Sequence, residues 1–339
     1  MPEMPDQKLR EALASGLDSP ASQPTLQLAD FLARGFGPTT AAIIHYGSHA
    51  QHSGARPESA HDFFVIVEDY DAAYQSLAAT VGTTYAPAKA ARLNRVLAPN
   101  VVAIADGETS PTLPDAHPSP LLAKCAVLSV EELRRACSAR ARDHFTQGRL
   151  FQHAQLVWTR DARMRDVVVD SLLEARARTF DWGRAYLPPH FDVDSYCRVL
   201  LETSFGAEVR PEGPERISAL LAAQRETMVR MYAELLRSLA DQRILLRQGN
   251  VYTDPHPPGV LGRLRIRGYF ARSKLRATLR WLKYMALYDD WQDYLLRKLE
   301  RRSGVHVELT ERERRWPLIF LWPKAIRYLR TRPQRRDPI

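Results

Sequence analysis

The chain has 339 residues, 45% apolar and 26% charged, enough to bury a sizeable core and to build about two domains. Its formal charge of +9 sits at one end: residues 260–339 hold 21 Lys/Arg against 8 Asp/Glu, so the first 259 residues are slightly acidic. No stretch approaches the roughly 20 apolar residues that span a bilayer, and three cysteines without metal-ligand spacing exclude a disulfide framework and imply a reducing compartment.

Residues 1–25 read as an extension ending in a Ser/Pro-rich linker, with neither a secretory signal nor a mitochondrial presequence at the start, so the expected location is cytoplasmic. A short helix over Leu26–Phe36 is closed by Gly35 and Gly37. Apolar runs predict strands at 41–46 and 62–68, with a helix stub and loop between them, then helices over Asp71–Val81 and Pro87–Leu97. A strand over Asn100–Ala105 precedes a Pro-rich loop, and Lys124–Leu128 is a further strand. It runs into Ser129-Val130-Glu131-Glu132, a capping box that opens a helix continuing toward Gly148-Arg149. Gln155–Trp158 completes the strands, so residues 26–160 predict an α/β (α+β) domain. Helices over Asp161–Tyr186, Asp192–Phe205 and Pro214–Arg247 predict an all-helical domain over 161–250, and Gly249–Gly262 reads as a hinge to a basic module over 260–339.

The chemistry concentrates at Ile43-Ile44-His45-Tyr46-Gly47-Ser48 and, thirteen residues on, at His61-Asp62-Phe63-Phe64-Val65-Ile66-Val67-Glu68-Asp69. A Gly-Ser turn after a buried strand can offer N–H groups and a hydroxyl to a triphosphate. A carboxylate entering the neighbouring apolar strand can hold the magnesium that such a triphosphate carries. Asp62 is therefore the first candidate metal ligand. Nucleotidyltransferase strands usually carry Asp-x-Asp, both on one face; here position 64 is Phe, so a second ligand comes from elsewhere. Glu68 and Asp69 are candidates, and Asp69 equally suits capping the helix that follows.

Tyr46-Gly47-Ser48 with the Asp62–Asp69 strand resembles the mitochondrial-type phosphatidate cytidylyltransferases, also called mitochondrial translocator assembly and maintenance proteins. Tyr85, Lys124-Cys125-Ala126-Val127-Leu128-Ser129, Gly148-Arg149-Leu150, Leu187-Pro188-Pro189-His190-Phe191 and Ser204-Phe205-Gly206-Ala207-Glu208-Val209-Arg210 extend the resemblance in the family's order over about residues 40–250. It departs at His49 and Ala207, where the family has Gly, and at Glu208, where it has Asp. The resemblance implies a nucleotidyltransferase fold of DNA polymerase beta type. It implies a reaction of CTP with phosphatidic acid giving CDP-diacylglycerol and pyrophosphate, with Mg2+. It further implies Asp62, Lys124 and Arg149 as catalytic residues, Tyr46, Gly47, Ser48, Tyr85 and Arg210 as nucleotide-binding, and Glu208 or Asp69 as the metal ligand beside Asp62.

In the basic module, Arg263, Arg265, Arg267, Arg272, Lys274, Arg276, Arg280 and Lys283 accompany Phe270, Leu275, Leu279, Leu282 and Tyr284 on an amphipathic helical stretch over 263–302. Trp316–Pro323 follows, with Trp at positions 316 and 322 and basic flanks. Such a module suits the surface of an anionic membrane, at its inner face, better than nucleic acid. Packing of its apolar faces on the body is the alternative. Three activities fit the whole: the cytidylyltransferase, a nucleotidyltransferase of the same fold acting on RNA or a small molecule, and a catalytically degenerate scaffold on the membrane.

Overall fold

Unbroken runs of β-branched and aromatic residues need cover on both faces, and here they receive it. In the computed structural model, which describes residues 7–55, 59–109, 120–206 and 213–288 together with 310 and 312, five strands form one mixed sheet. They are Thr40–Tyr46 (β1), His61–Val67 (β2), Asn100–Thr109 (β3), Pro120–Ser129 (β4) and Gln155–Thr159 (β5), in the spatial order β3-β4-β2-β1-β5. β2 runs parallel to β4, and the other neighbours are antiparallel.

Alternation along the strands sorts the side chains to two faces. Ile44, Tyr46, Phe64, Ile66, Ala126 and Leu128 form a core with Leu133 of Val130–Cys137 (α5), Leu150 of Gln147–Leu150 (α6), and Val168 and Leu172 of Ala162–Ala177 (α7). The opposite face meets Gln23–Phe36 (α2), Tyr70–Thr80 (α3) and Pro87–Val96 (α4), where buried Asn94 donates to the Val127 carbonyl and to Tyr74.

The second core is helical. Gln7–Leu13 (α1), Thr179–Gly183 (α8), Val193–Gly206 (α9) and Pro214–Asp241 (α10) surround Tyr196, Leu200, Met228, Met231 and Tyr232. Arg176 of α7, fully buried, ties the two cores by donating to the carbonyls of Leu13, Ser15, Leu150 and Gln152. It fixes the end of α6 next to Arg149.

Several sequence expectations need correction. The first 25 residues are not all extension: α1 buries Leu9 and Leu13 in the helical core. The helix opened by Ser129 stops at Cys137, and α6 is separate. The helix from Pro214 ends at Asp241, and residues up to 253 form Leu246–Gln248 (β7) and Val251–Thr253 (β8), which pair with His190–Phe191 (β6).

The chain divides into two compact units, Met1–Leu287 and Tyr288–Ile339, and all these elements lie in the first. So does Val260–Leu287 (α11), the described part of the basic module. Its docked side is mixed: Phe270 enters the helical core, with Ile266 and Tyr269 packed against it, and basic side chains reach polar groups of the body. Arg276 and Arg280 bind the buried carboxylate of Asp143, and Lys283 donates to the carbonyls of Leu97 and Pro99. Burial, with Arg280 and Arg276 nearby, pulls the Lys283 ammonium down to about 7. Phe270 and Leu287 are buried, while Leu261, Leu264, Leu275, Leu279 and Leu282 are exposed. At 3.6 residues per turn these leucines share one stripe, with Arg265 and Arg272 along one side and Arg267 and Lys274 along the other. Among the described residues no helix is long and apolar enough to cross a membrane. Trp316–Pro323 lies outside the described residues.

Candidate functional site

Strand register assembles the site. Asp62 of β2 pairs with Tyr46 of β1 on one side and with Lys124 of β4 on the other. The three side chains therefore share the face of the sheet that carries Phe64 and Ala126. Arg149 comes down on this row from α6. Its guanidinium lies 3.9 Å from the centroid of the Phe145 ring and donates to the Phe145 carbonyl at 2.8 Å. Its charge also acts on the Tyr46 hydroxyl.

The Asp62 carboxyl is pushed above its usual value of 3.8 by burial, against the opposing pull of Lys124, Arg149 and His49. Burial likewise raises the Tyr46 hydroxyl, with Asp62 adding to the effect and Arg149 opposing it. The group is thus one partly desolvated carboxylate with two cations beside it. Such a set can receive a polyanion at the cations and a divalent ion at the carboxylate.

The Gly-Ser turn abuts this row. Gly47 has φ of +81°, and a Cβ built there would lie 2.8 Å from Asp62 Oδ2. Glycine is needed at this position both for its backbone conformation and for the room it leaves the carboxylate. Gln51 N–H closes the turn on the Gly47 carbonyl at 2.9 Å, and Ser53 N–H reaches the Ser48 carbonyl at 3.1 Å.

Of the expected site residues, Tyr46, Gly47, Ser48, Asp62, Lys124 and Arg149 come together. Tyr85 does not. It is buried edge-on to Tyr74, next to Cys125, whose side chain alternates with Lys124 and so lies on the other face. Asp69 and Glu68 stand beyond the opposite end of β2, about 20 Å along the strand from Asp62. Asp69 Oδ1 accepts from Ala72 N–H as the N-cap of α3, and Glu68 is paired with Arg160. Neither shares a metal with Asp62. Glu208 and Arg210 lie outside the described residues. Asp69→Ala is expected to cost about 1 kcal/mol in urea unfolding, as loss of a helix cap does.

His45, His49 and His61 stack beside the row, with ring centroids 3.8 Å apart for His49–His61 and 5.4 Å for His45–His61. One ring nitrogen of each is committed elsewhere, His61 Nδ1 to Thr25, His45 Nδ1 to Gln155 and His49 Nε2 to Ser59, while His45 Nε2 is buried without a hydrogen-bond partner among the described residues. Burial lowers His45 to about 4 and His61 to about 3, so both are neutral near pH 7. Among the described residues no group of three or more His, Cys, Asp or Glu side chains could hold a metal ion. A single carboxylate still fits magnesium held largely by substrate phosphates, the arrangement that ion favours.

Two residues that the sequence did not single out belong to the site's support. Phe145 and Asp143 occupy the irregular segment between α5 and α6, and no periodicity marks them. Comparison with known protein families finds no matching model, and comparison with curated proteins finds no match either.

Proposed function

We propose that the chain is a magnesium-dependent nucleotidyltransferase of DNA polymerase beta type, transferring the cytidylyl group of CTP to phosphatidic acid. The observation that carries the reading is the row Tyr46–Asp62–Lys124 with Arg149 beside it, at the foot of a Gly-Ser turn. In this reading Asp62 would hold magnesium, which would neutralise charge on the triphosphate. Lys124 supplies a point charge, and Arg149 a planar donor whose position is fixed by the Phe145 ring and carbonyl.

A phosphate monoester is mostly dianionic near neutral pH. One of its oxygens attacks the α-phosphorus of CTP, a new P–O bond forms, the bond to the β-phosphate bridge breaks, and pyrophosphate leaves with the electron pair. No general base is required, so the protein's task is to align two anions and offset their charge. The leucine stripe of α11 between two rows of Arg and Lys supports an acceptor that lives in a bilayer, met from the cytoplasmic side.

The test is pyrophosphate release from each of the four NTPs with magnesium, on vesicles with and without phosphatidic acid, by the wild type and Asp62→Ala. The expected result is turnover of CTP only, only with phosphatidic acid, and none in the variant. Turnover without lipid would redirect the reading to RNA or small-molecule acceptors. Vesicle binding without any turnover would leave a scaffold.

A further inference from the structure

α11 reaches the site through three consecutive residues. Asp143 Oδ2 accepts Arg276 Nε at 2.6 Å and Arg280 Nη2 at 2.7 Å, while its Oδ1 accepts the Phe145 N–H at 3.0 Å. His144 N–H donates to Ser273 Oγ of α11 at 3.0 Å, and its ring meets Ser204 at 3.1 Å. The Phe145 ring then lies between two guanidinium groups, Arg149 at 3.9 Å and Arg280 at 4.9 Å from its centroid. Burial would raise the Asp143 carboxyl, but Arg280 and Arg276 outweigh it and hold the group below its usual value, so it is charged near pH 7.

These contacts are costly to assemble for stability alone. Arg280 is itself desolvated enough to have its pKa lowered, and a buried ion pair roughly breaks even against apolar packing. What the arrangement does supply is direction. Phe145 cannot shift without Asp143, Asp143 is held by α11, and Arg149 is fixed by the ring and carbonyl of Phe145. Phe145 also meets Phe64, two residues along β2 from Asp62, edge-on with ring centroids 6.2 Å apart, and the charge of Arg149 acts on Tyr46 and Asp62.

We propose that Asp143–Phe145 is a joint through which α11 positions Arg149 on the Asp62 row, so that the seating of α11 sets the charge of the site. Asp143, Phe145 and Arg280 are then positioning residues. The inference rests on Asp62 and Arg149 forming the site. It gives one helix two tasks on its two sides: the Arg276/Arg280 side holds the joint, and the leucine stripe faces away from it.

The test uses the full chain. Nitrogen-15 spectra of the arginine side chains report Arg149 directly, with its Nε–H identified by its loss in Arg149→Lys. Arg280→Gln is expected to shift and broaden that signal, and Arg265→Gln, on the exposed part of α11, to leave it in place. Phe145→Leu keeps both ion pairs of Asp143 and is expected to displace the signal in the same way, which covers the case in which Arg280→Gln folds poorly. In CTP turnover on phosphatidic acid vesicles, Arg280→Gln should lower kcat about tenfold, within the range of such couplings. In an Arg149→Lys background it should lower kcat no further. An unmoved Arg149 signal in folded Arg280→Gln and Phe145→Leu would overturn the joint, as would an equal loss of kcat in both backgrounds. A wild type that never turns over CTP would sink the proposed function, while the Arg149 signal would still decide the joint.

Discussion

Asp62→Asn is expected to lower turnover about a thousandfold or more, the scale of removing a group that anchors charge in a transition state, and yet to raise the melting temperature near neutral pH. The second half follows from burial. The folded chain holds the Asp62 carboxyl above 3.8, its value in the unfolded chain. The native state therefore binds a proton that the unfolded state has released over the window between the two values. Stability from this group is complete below 3.8 and declines as pH rises through the higher folded value. Once ionised, the carboxylate is a net cost that Lys124 and Arg149 only partly offset. Asparagine keeps the shape and removes the charge. Melting curves of both proteins between pH 3 and 8 check this: the variant should gain on the wild type as pH climbs above 3.8 and then hold a constant lead. Magnesium with CTP should raise the melting temperature of the wild type and leave the variant's unchanged. A variant less stable than wild type at pH 7 would show that Asp62 serves the fold, and would remove the argument for a site that trades stability for charge.

That trade is what made Asp62 legible. β1 and β2 are apolar enough to be read as buried strands from composition alone, and a carboxylate at the mouth of such a strand has no structural reason to be there. Lys124 became meaningful only through register, because a parallel pairing of β2 with β4 sets it opposite Asp62. Arg149 depended on more. The sequence predicts one helix from Ser129 to Gly148, but the chain leaves it at Cys137 and returns through Asp143–Phe145, and this irregular path aims the guanidinium at the row. No periodic signal encodes such a path. The small β6–β8–β7 sheet was missed for a different reason. Its strands are two and three residues long, below the length at which alternation speaks, although Gly249-Asn250 between Gln248 and Val251 is a hairpin turn signal that was there to be used. Asp69 misled because capping and metal binding draw on the same residue type, and only its distance from Asp62 separates them.

α11 shows the limit of amphipathicity as a guide. The pattern says that one side is apolar and the other basic, and the usual inference buries the apolar side. Here the docked side is mixed: Ile266, Tyr269 and Phe270 pack on the helical core, and Arg276, Arg280 and Lys283 turn inward because the body offers a buried carboxylate at Asp143 and backbone carbonyls at Leu97, Ala98 and Pro99 to receive them. The leucines are left outward, with Leu261 82% and Leu275 60% exposed. A helix that carries a second apolar face, flanked by Arg and Lys, on its free side is arranged for a surface that is itself apolar beneath anionic groups. The site faces no such demand, and its requirements are tighter.

Gly47→Ala is the substitution that tests how tight. At φ of +81° an alanine costs about 1–2 kcal/mol in the backbone alone. Its Cβ would also sit 2.8 Å from Asp62 Oδ2, closer than such atoms approach, so the carboxylate has to give way. Asp62 has a short side chain on a strand paired on both sides, and Lys124 and Arg149 hold it electrostatically. A displacement of the order of 1 Å at a reacting centre costs about a hundredfold in rate. The expected result is a folded protein, melting a few degrees lower, with kcat reduced about a hundredfold. Ser48→Ala, which removes a hydroxyl and leaves the carboxylate where it is, should cost less. The two parts of the Gly47 penalty separate in Asp62→Ala, where the clashing oxygen is gone. There Gly47→Ala should destabilise only by its backbone share and the milder 3.3 Å contact with the Cβ at position 62 that remains. An equal stability loss in both backgrounds would mean that the contact with Asp62 carries none of the cost, and that this glycine shapes the turn without guarding the carboxylate.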